Sequence, residues 1–539
     1  MSEANEQRVT IRMYGQGVGD CFLLSFPRAA DQDGAHKRVY VLIDCGVVGG
    51  TPNGPDRMRR VVADIRATTG GYLDLLVITH EHWDHLSGFV QAKQEWEQIT
   101  VGALWTAWTE KPGDPLSDVL RAIRDKQTHA IAAAAERALQ FGMGDRYSTL
   151  IGLNSFLSDA ASQGTGFAAA AGVSDAFQIA KERAPQRHVY CEPGEVRRVP
   201  GTTALAYVLG PPRSDSRLRQ VDPSARRETY TDKNDADSRA AARQALQALD
   251  RTLSLERMAS GPSEFNALVM PLLHADGLGV NAPKEEAADR DLLDRSFPFE
   301  AMQRVALPIA EQEARNPDTT YTGLESYFDE LHHWRSIDQD WLGAAEALAL
   351  RADHLTNNTS LVLAFELPAE RGVLLFAGDA QVGNWLSWDE IPAWIPIDDA
   401  RPSQPKPDIS DLLERTVFYK VGHHGSHNAT LKEKGLERMG ADGKLTAFVP
   451  VSTPVARKLK RWQQMPLDAL LEAMSTRTRR RVVLPNGTTW AIAGVEGAAP
   501  APAPDWLEVA PTTLPAVLDR NDNQVEAEVP LWVQMSIGA

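Results

Sequence analysis

The stretch LLVITHEHWDHLSGF, Leu75 to Phe89, constrains the fold more than any other part of the chain. Apolar and β-branched residues from Leu75 to Thr79 run straight into His80, Glu81, His82, Asp84 and His85. Together with the preceding residues they form LDLLVITH, which reads as a strand covered on both faces, and so requires layers on either side of its sheet. The pattern that ends it, HxHxDH, gathers imidazole nitrogens and a carboxylate oxygen. Those donors suit zinc, and also manganese or iron. A single histidine here would read as an ordinary loop residue. His80, His82, Asp84 and His85 lie within six residues at the end of a rigid strand, and they read as a metal site.

The same design recurs downstream. GVLLFAGD ends an apolar strand on Asp379, and TVFYKVGHHGS ends another on His423 and His424. Around these lie further strand signals. In RVTIRMY, Val9, Ile11 and Met13 alternate with Arg8, Thr10 and Arg12, as in a half-buried strand. DCFLLSFP, KRVYVLIDCG, SLVLAFEL and LTAFVPVS continue the series, and RRVVLPNGTTWAIAG reads as a hairpin turning at PNG. GPDRMRRVVADIRATTG is an amphipathic helix with Pro55 near its start and Gly70 at its end, and MPLDALLEAMS is another helix.

Between about residues 95 and 355 the character changes. KQTHAIAAAAERALQF, DADSRAAARQALQALDRTLSLERMA and DQDWLGAAEALALRADHL are rich in good helix formers, and polar loops separate them. The expected organisation is a core in two pieces, 1–95 and 355–495. A mainly helical insertion spans 96–354, and a Pro/Ala linker with a last strand (PLWVQMSI) occupies 496–539.

The three strand ends together resemble the metallo-β-lactamase superfamily of metal-dependent hydrolases. HEHWDH is similar to its signature, LLFAGD to the strand that delivers its bridging aspartate, and KVGHHGS to its late histidine. GQGVGDCFLLSF, VLIDCG and NNTSLVL also resemble the subgroup that includes the metallo-β-lactamase domain of the competence DNA-uptake channel and related phosphoesterases. The resemblance covers residues 8–95 and 355–495. It implies an α/β fold, a four-layer αβ/βα sandwich, here with a large helical insertion. It implies two divalent metal ions, zinc in preference to manganese. His80 and His82 would hold one; Asp84, His85 and His423 would hold the other; Asp379 would bridge them. Asp44 would orient the loop as a structural support. The family's third histidine at the first site has no counterpart in place: ADHLTNNTSLVL offers His354 upstream, or Asn358 as its substitute. A metal-bridged hydroxide would attack the substrate, Asp84 would also take a proton, and His424 would stabilise the transition state or protonate the leaving oxygen.

The implied activity is therefore that of a metal-dependent phosphodiesterase or nuclease-like hydrolase acting on a nucleic acid or nucleotide-like small molecule. The alternatives are a thioester or amide hydrolase of the same superfamily and a non-catalytic metal-binding scaffold. The net charge of −16 disfavours a protein that grips duplex nucleic acid over its whole surface. RKLKRW and RTRRR are basic runs, read as a solvated face before a phosphate-steering rim. DKNDADSR fails as a calcium loop because Ala236 stands at a ligand position. GQGVGD lies between strands and opens no helix, which disfavours a dinucleotide site. LHHW, Leu331 to Trp334, reads as ordinary helix residues, and Lys420 as a strand residue before a phosphate contact. Cys21, Cys45 and Cys191 form no CxxC pair and no disulfide framework, which fits a reducing compartment. With no apolar run of spanning length and no signal-like start, the expected location is the cytoplasm, without membrane contact. The insertion is expected to cap the site, or to bind a protein partner or a second copy.

Overall fold

A computed structural model describes residues 7–30, 37–124, 172–185, 187–221, 223, 228–230, 312, 315–316, 353–398, 400, 406–440, 442–490, 505–519 and 521–538. The chain divides into two compact units. One comprises Met1–Val119, Ser155–Lys233 and Asp353–Ala539; the other comprises Leu120–Asn154 and Asn234–Ala352. Almost all of the second unit lies outside the described residues. So do the three expected long helices apart from their last residues 353–355, the DKNDADSR and LHHW segments, and most of the Pro/Ala linker.

The first unit is a mixed α/β structure built on two eight-stranded sheets. The first runs in the order Leu507–Val509, Trp532–Ile537, Val9–Tyr14, Phe22–Pro27, Arg38–Ile43, Leu75–Val77, Leu104–Ala107, His188–Cys191. The second runs Ile395–Pro396, Glu195–Arg198, Leu205–Gly210, Val362–Glu366, Val373–Phe376, Thr416–Lys420, Thr446–Phe448, Val482–Val483. Each sheet joins an antiparallel part to a parallel part, and in the second the short edge strand Ile395–Pro396 also pairs parallel with Glu195–Arg198. Pairing turns parallel at Arg38–Ile43 with Leu75–Val77 in the first, and at Val373–Phe376 with Thr416–Lys420 in the second.

Side-chain alternation explains the layering. In Val9–Tyr14, Val9, Ile11 and Met13 are buried while Thr10 and Arg12 are half-buried on the other side. Inward residues of both sheets share one core, in which Phe22 meets Phe376 edge-on at 5.6 Å and Phe26 lies 6.4 Å from Phe365. The opposite face of the first sheet is covered by the helices Gly54–Thr69 and Trp83–Gln91, through Met58, Val61, Ile65, Leu86 and Phe89. That of the second is covered by Val382–Trp388, Ile409–Glu414 and Asp468–Arg477, through Trp385, Trp388, Leu412 and Leu471. Each large apolar side chain buried this way contributes about 1.5–3 kcal/mol. The result is an α/β sandwich with helices on its outer faces.

Three expectations are corrected. The core does not stop at residue 95: Leu104–Ala107, His188–Cys191, Glu195–Arg198 and Leu205–Gly210 belong to the two sheets. These strands are short, and their surroundings lack the repeated apolar alternation that marked the others. The strand leading to the HxHxDH pattern also ends at Val77 rather than His80. Ile78 still donates to the Trp105 carbonyl, but the Thr79 N–H turns to the Asp44 carboxylate and leaves the ladder. Nor does the core end at residue 495: Leu507–Val509 and Trp532–Ile537 join the first sheet, and four short strands lie between them where only a last strand was expected. Helix Gly54–Thr69 has proline in its first turn and closes on Gly70 at φ 65°. The PNG turn is a hairpin, in which Leu484 donates to the Thr488 carbonyl and Trp490 to that of Val482. Among the described residues no helix is long and apolar enough to cross a membrane.

Arg57 ties this scaffold together. Fully buried, it donates to the carbonyls of Gln16 at 2.8 Å, Gly15 at 3.1 Å and Pro515 at 2.6 Å, and lies 3.8 Å from Glu526. Arg57→Ala leaves buried carbonyls and a carboxylate without their donor, which costs about 3 kcal/mol. Urea unfolding will show this as a lower midpoint. Arg60→Ala, which removes only an exposed pair with Asp56, will stay within about 0.5 kcal/mol of the parent.

Candidate metal centre

The geometry starts from Asp44, the residue after Arg38–Ile43. Its backbone is left-handed at φ 55°, which aims the carboxylate across the neighbouring strand end. One oxygen accepts from the Thr79 N–H at 2.8 Å; the other accepts from the Thr79 hydroxyl at 2.7 Å and from His85 Nδ1 at 2.8 Å. These bonds fix two tautomers. With its Nδ1 proton on Asp44, neutral His85 presents a bare Nε2. The Thr79 hydroxyl has given its proton to Asp44, so it accepts from His80 Nδ1 at 3.0 Å, and His80 Nε2 is bare as well.

Asp84 and His85 stand in the first turn of helix Trp83–Gln91. Glycines let the loops close around that turn. A side chain at Gly46 would sit 2.4 Å from the Asp84 carbonyl carbon, and one at Gly19 would sit 2.6 Å from the Asp84 carbonyl oxygen. Gly19 leads into Asp20, whose N–H donates to the Asp84 carbonyl at 3.0 Å. From the second sheet come Asp379, just beyond Val373–Phe376, and His423 and His424 beyond Thr416–Lys420. Both histidines are left-handed, at φ 42° and 52°, a strained backbone that costs about 1–2 kcal/mol per residue.

The result is a buried cluster in which Asp20, His85, Asp379 and His424 each offer one ligand atom, all within 4.8 Å of one another, an arrangement that could hold a metal ion. His85 Nε2 is 3.3 Å from Asp379 Oδ2 and 3.7 Å from Asp84 Oδ2. His424 Nε2 is 2.7 Å from Asp84 Oδ2 and 3.6 Å from Asp379 Oδ2, while its Nδ1 is 3.0 Å from the Pro450 carbonyl. The donors fit a divalent cation. Asp20 Oδ1, Asp84 Oδ1 and His85 Nε2 are buried and lack a hydrogen-bond partner, and the donor set is carboxylate oxygen with imidazole nitrogen.

Electrostatics tell the same story. Asp20, Asp44, Asp84 and Asp379 are all buried, and the only buried lysine among them is Lys420. Burial alone would raise the Asp379 carboxyl, but His85, Lys420 and His424 hold it well below the usual range. Burial likewise opposes ionisation of Asp84, and His85 and His424 outweigh it, leaving Asp84 lowered. Burial would lower His85 and His424; the surrounding carboxylates, led by Asp379, raise both instead. Asp20 is pushed up to about 6 by burial, only partly offset by Lys420. His80 is lowered by burial and by its histidine neighbours, which keeps it neutral.

The structure brings together most of the residues singled out in the sequence, with changes of place. His80 Nε2 and His82 Nδ1 converge at 3.0 Å. Asp44 lies behind them, accepting from Thr79 and His85. The adjacent histidines exchange positions. His424, expected as an acid, faces the carboxylates. His423, expected as a ligand, turns Nδ1 to the Ser426 hydroxyl at 2.7 Å and has Nε2 3.4 Å from the Asn357 amide. Asn358 is not at the cluster: its nitrogen donates to the Leu218 and Gln220 carbonyls, and its oxygen accepts from the Gln381 and Asn384 N–H groups. The His354 Nδ1 lies 2.9 Å from the Gln381 amide nitrogen. Sequence reasoning missed Asp20, although it closes the GQGVGD turn. Lys420 is a strand residue, as expected, the last of Thr416–Lys420; what the sequence did not reveal is that its ammonium contacts Asp20, the Gly378 carbonyl at 2.8 Å and Asp379 at 3.1 Å. In the basic runs, Arg457 is bound to Asp468 and the Pro466 carbonyl, and Arg477 to the Met439 carbonyl.

Compared with known proteins, the chain matches no family model, no curated protein and no solved structure.

Lys420→Met removes the cation that joins Asp20 of one sheet to Asp379 of the other and leaves both carboxylates buried together. With chelator present, the variant will lose about 3–5 kcal/mol of unfolding free energy, read by guanidinium denaturation. A variant as stable as its parent would show that the pair does not bear on folding.

Proposed function

We propose that this chain is a metal-dependent hydrolase with the metallo-β-lactamase fold and that its substrate is a phosphodiester. The observation that carries the reading is the convergence of Asp20, His85, Asp379 and His424 from two sheets, with ligand atoms all within 4.8 Å of one another, and with Asp84 beside them at 2.7 Å from His424. The sandwich of two mixed sheets with outer helices supports the same family, as do the HxHxDH, AGD and HHGS patterns on its strand ends. The phosphodiester preference rests on the HHGS and NNTS segments alone.

In this reading Asp84, His85, Asp379 and His424 would hold one divalent cation, and His80 and His82 would take part in holding a second, zinc or manganese in each case. The bound cations would acidify a water and neutralise charge growing on the phosphoryl oxygens. The chain's own residues do the positioning. Asp44, directly and through the Thr79 hydroxyl, fixes the His85 and His80 rings at Nδ1 and so leaves Nε2 as the atom each can offer a cation. Lys420 and the His423 N–H both bind Asp379 Oδ1, which leaves Oδ2 facing the histidines. Asp84 is ionised and buried, and its free Oδ1 can take a proton at the site. Pro450 fixes the His424 ring by accepting at Nδ1.

The first test is hydrolysis of bis(p-nitrophenyl) phosphate by purified protein supplied with Mn2+ or Zn2+. Metal-dependent turnover is expected, with a loss of at least about 100-fold in Asp84→Asn. Absence of turnover with either metal would remove the phosphodiester reading.

Cation binding will also depend on pH in a defined direction. His85 and His424 are raised, so at neutral pH the cation-free protein carries protons that a metal must displace. Affinity will therefore climb as pH rises through their raised pKa values. Titration calorimetry in buffers of different ionisation enthalpy will register released protons. Affinity independent of pH, with no proton release, would contradict this donor set.

A further inference from the structure

Beside the carboxylate-rich cluster lies a second polar pocket that the ligand assignment above does not use. The residues 353–358 form a short helical segment in which Asp353 and Asn357 are one turn apart, and the Asn357 amide nitrogen donates to Asp353 Oδ2 at 3.1 Å. That bond holds the carboxylate with its other oxygen turned to His82: Asp353 Oδ1 lies 3.8 Å from His82 Nε2. The separation is too long for a hydrogen bond and short enough for two donors to share a cation. Asp353 Oδ1, Asn357 Oδ1 and Gln381 Oε1 are buried oxygen acceptors with no hydrogen-bond partner, and the side chains of Asn357 and Gln381 are completely enclosed. The amide nitrogens of both reach the His423 ring at 3.4 Å, so all three oxygens belong to one neighbourhood.

An enclosed group of bare oxygens is costly unless something electropositive meets it. Among the described residues no lysine or arginine forms an ion pair with Asp353.

We propose that Asp353 supplies the carboxylate donor of a cation site on the His80–His82 side, a site for a hard divalent ion bound through imidazole nitrogen and carboxylate oxygen. It takes the place that His354 or Asn358 would otherwise have filled. Asn358 has no free lone pair for this task, and the Gln381 amide engages His354 at Nδ1. Oxygen in place of a third nitrogen suits Mn2+ as well as Zn2+. The inference rests on the reading of the chain as a metal-dependent hydrolase.

The test counts cations. Metal-stripped full-length protein is titrated with Mn2+ by calorimetry, and free Mn2+ is followed by electron paramagnetic resonance. The parent is expected to bind two ions per chain. Asp353→Ala is expected to bind one at the same Mn2+ concentration. The near-isosteric Asp353→Asn is expected to weaken the lost step at least about tenfold and guards against misfolding of the alanine variant. His354→Ala is expected to keep both ions. If both Asp353 variants bind two ions with parental affinities, or if His354→Ala loses one, the inference is overturned. A parent that binds one ion, kept in Asp353→Ala and lost in Asp84→Asn, also overturns it while leaving the hydrolase reading in place. A parent that binds none overturns both.

Discussion

The site depends on a single buried carboxylate. Asp44 does not face the point where the other ligand atoms meet. Yet its two oxygens set the Thr79 backbone, the Thr79 hydroxyl and the His85 ring, and through the hydroxyl they set the His80 ring. Each of these bonds is modest alone. Because the acceptor is ionised and the surroundings are dry, they are stronger than exposed equivalents and they act together. The same bonds end the Leu75–Val77 strand, since the Thr79 N–H cannot serve both Asp44 and the next strand. The point at which secondary structure stops and the point at which the donors begin share one cause.

Around that anchor the cluster balances charges in a way that couples the two sheets. Asp20, Asp84 and His85 hang from the first sheet and its helix, while Asp379, Lys420 and His424 hang from the second. Lys420 bonds across the gap to Asp20 and alongside to Asp379. Four carboxylates against one ammonium leave a deficit that His85 and His424 partly meet by holding protons. Protonation of the cluster and the seam between the sheets are therefore parts of one equilibrium.

Much of this was legible in the sequence, for physical reasons that can be named. Val9, Ile11 and Met13 announce a one-sided strand by alternation, and the apolar runs before His80, Asp379 and His423 announce covered ones. Donor atoms at strand ends stand out because buried strands seldom stop on them. Asp20 stayed hidden because it is one acid beside glycines, and its meaning comes from Lys420, 400 positions away in the chain. The order of His423 and His424 was illegible because it depends on two left-handed residues in succession, which histidine composition does not reveal. The strands at 104–107, 188–191, 195–198 and 205–210 were missed because four to six residues carry little periodicity and the neighbouring sequence pointed to helix.

The left-handed pair at His423 and His424 has an evolutionary consequence. Glycine takes such a backbone without steric cost, and Gly422 and Gly425 already flank the pair. Selection for stability alone would drift toward more glycine here. A chain that keeps two imidazoles in place of it is less stable than its own fold permits. Substitutions that restore robustness at these positions and substitutions that preserve the ligand chemistry therefore pull in opposite directions, and a lineage adapting to heat would have to find its gains elsewhere in the sandwich.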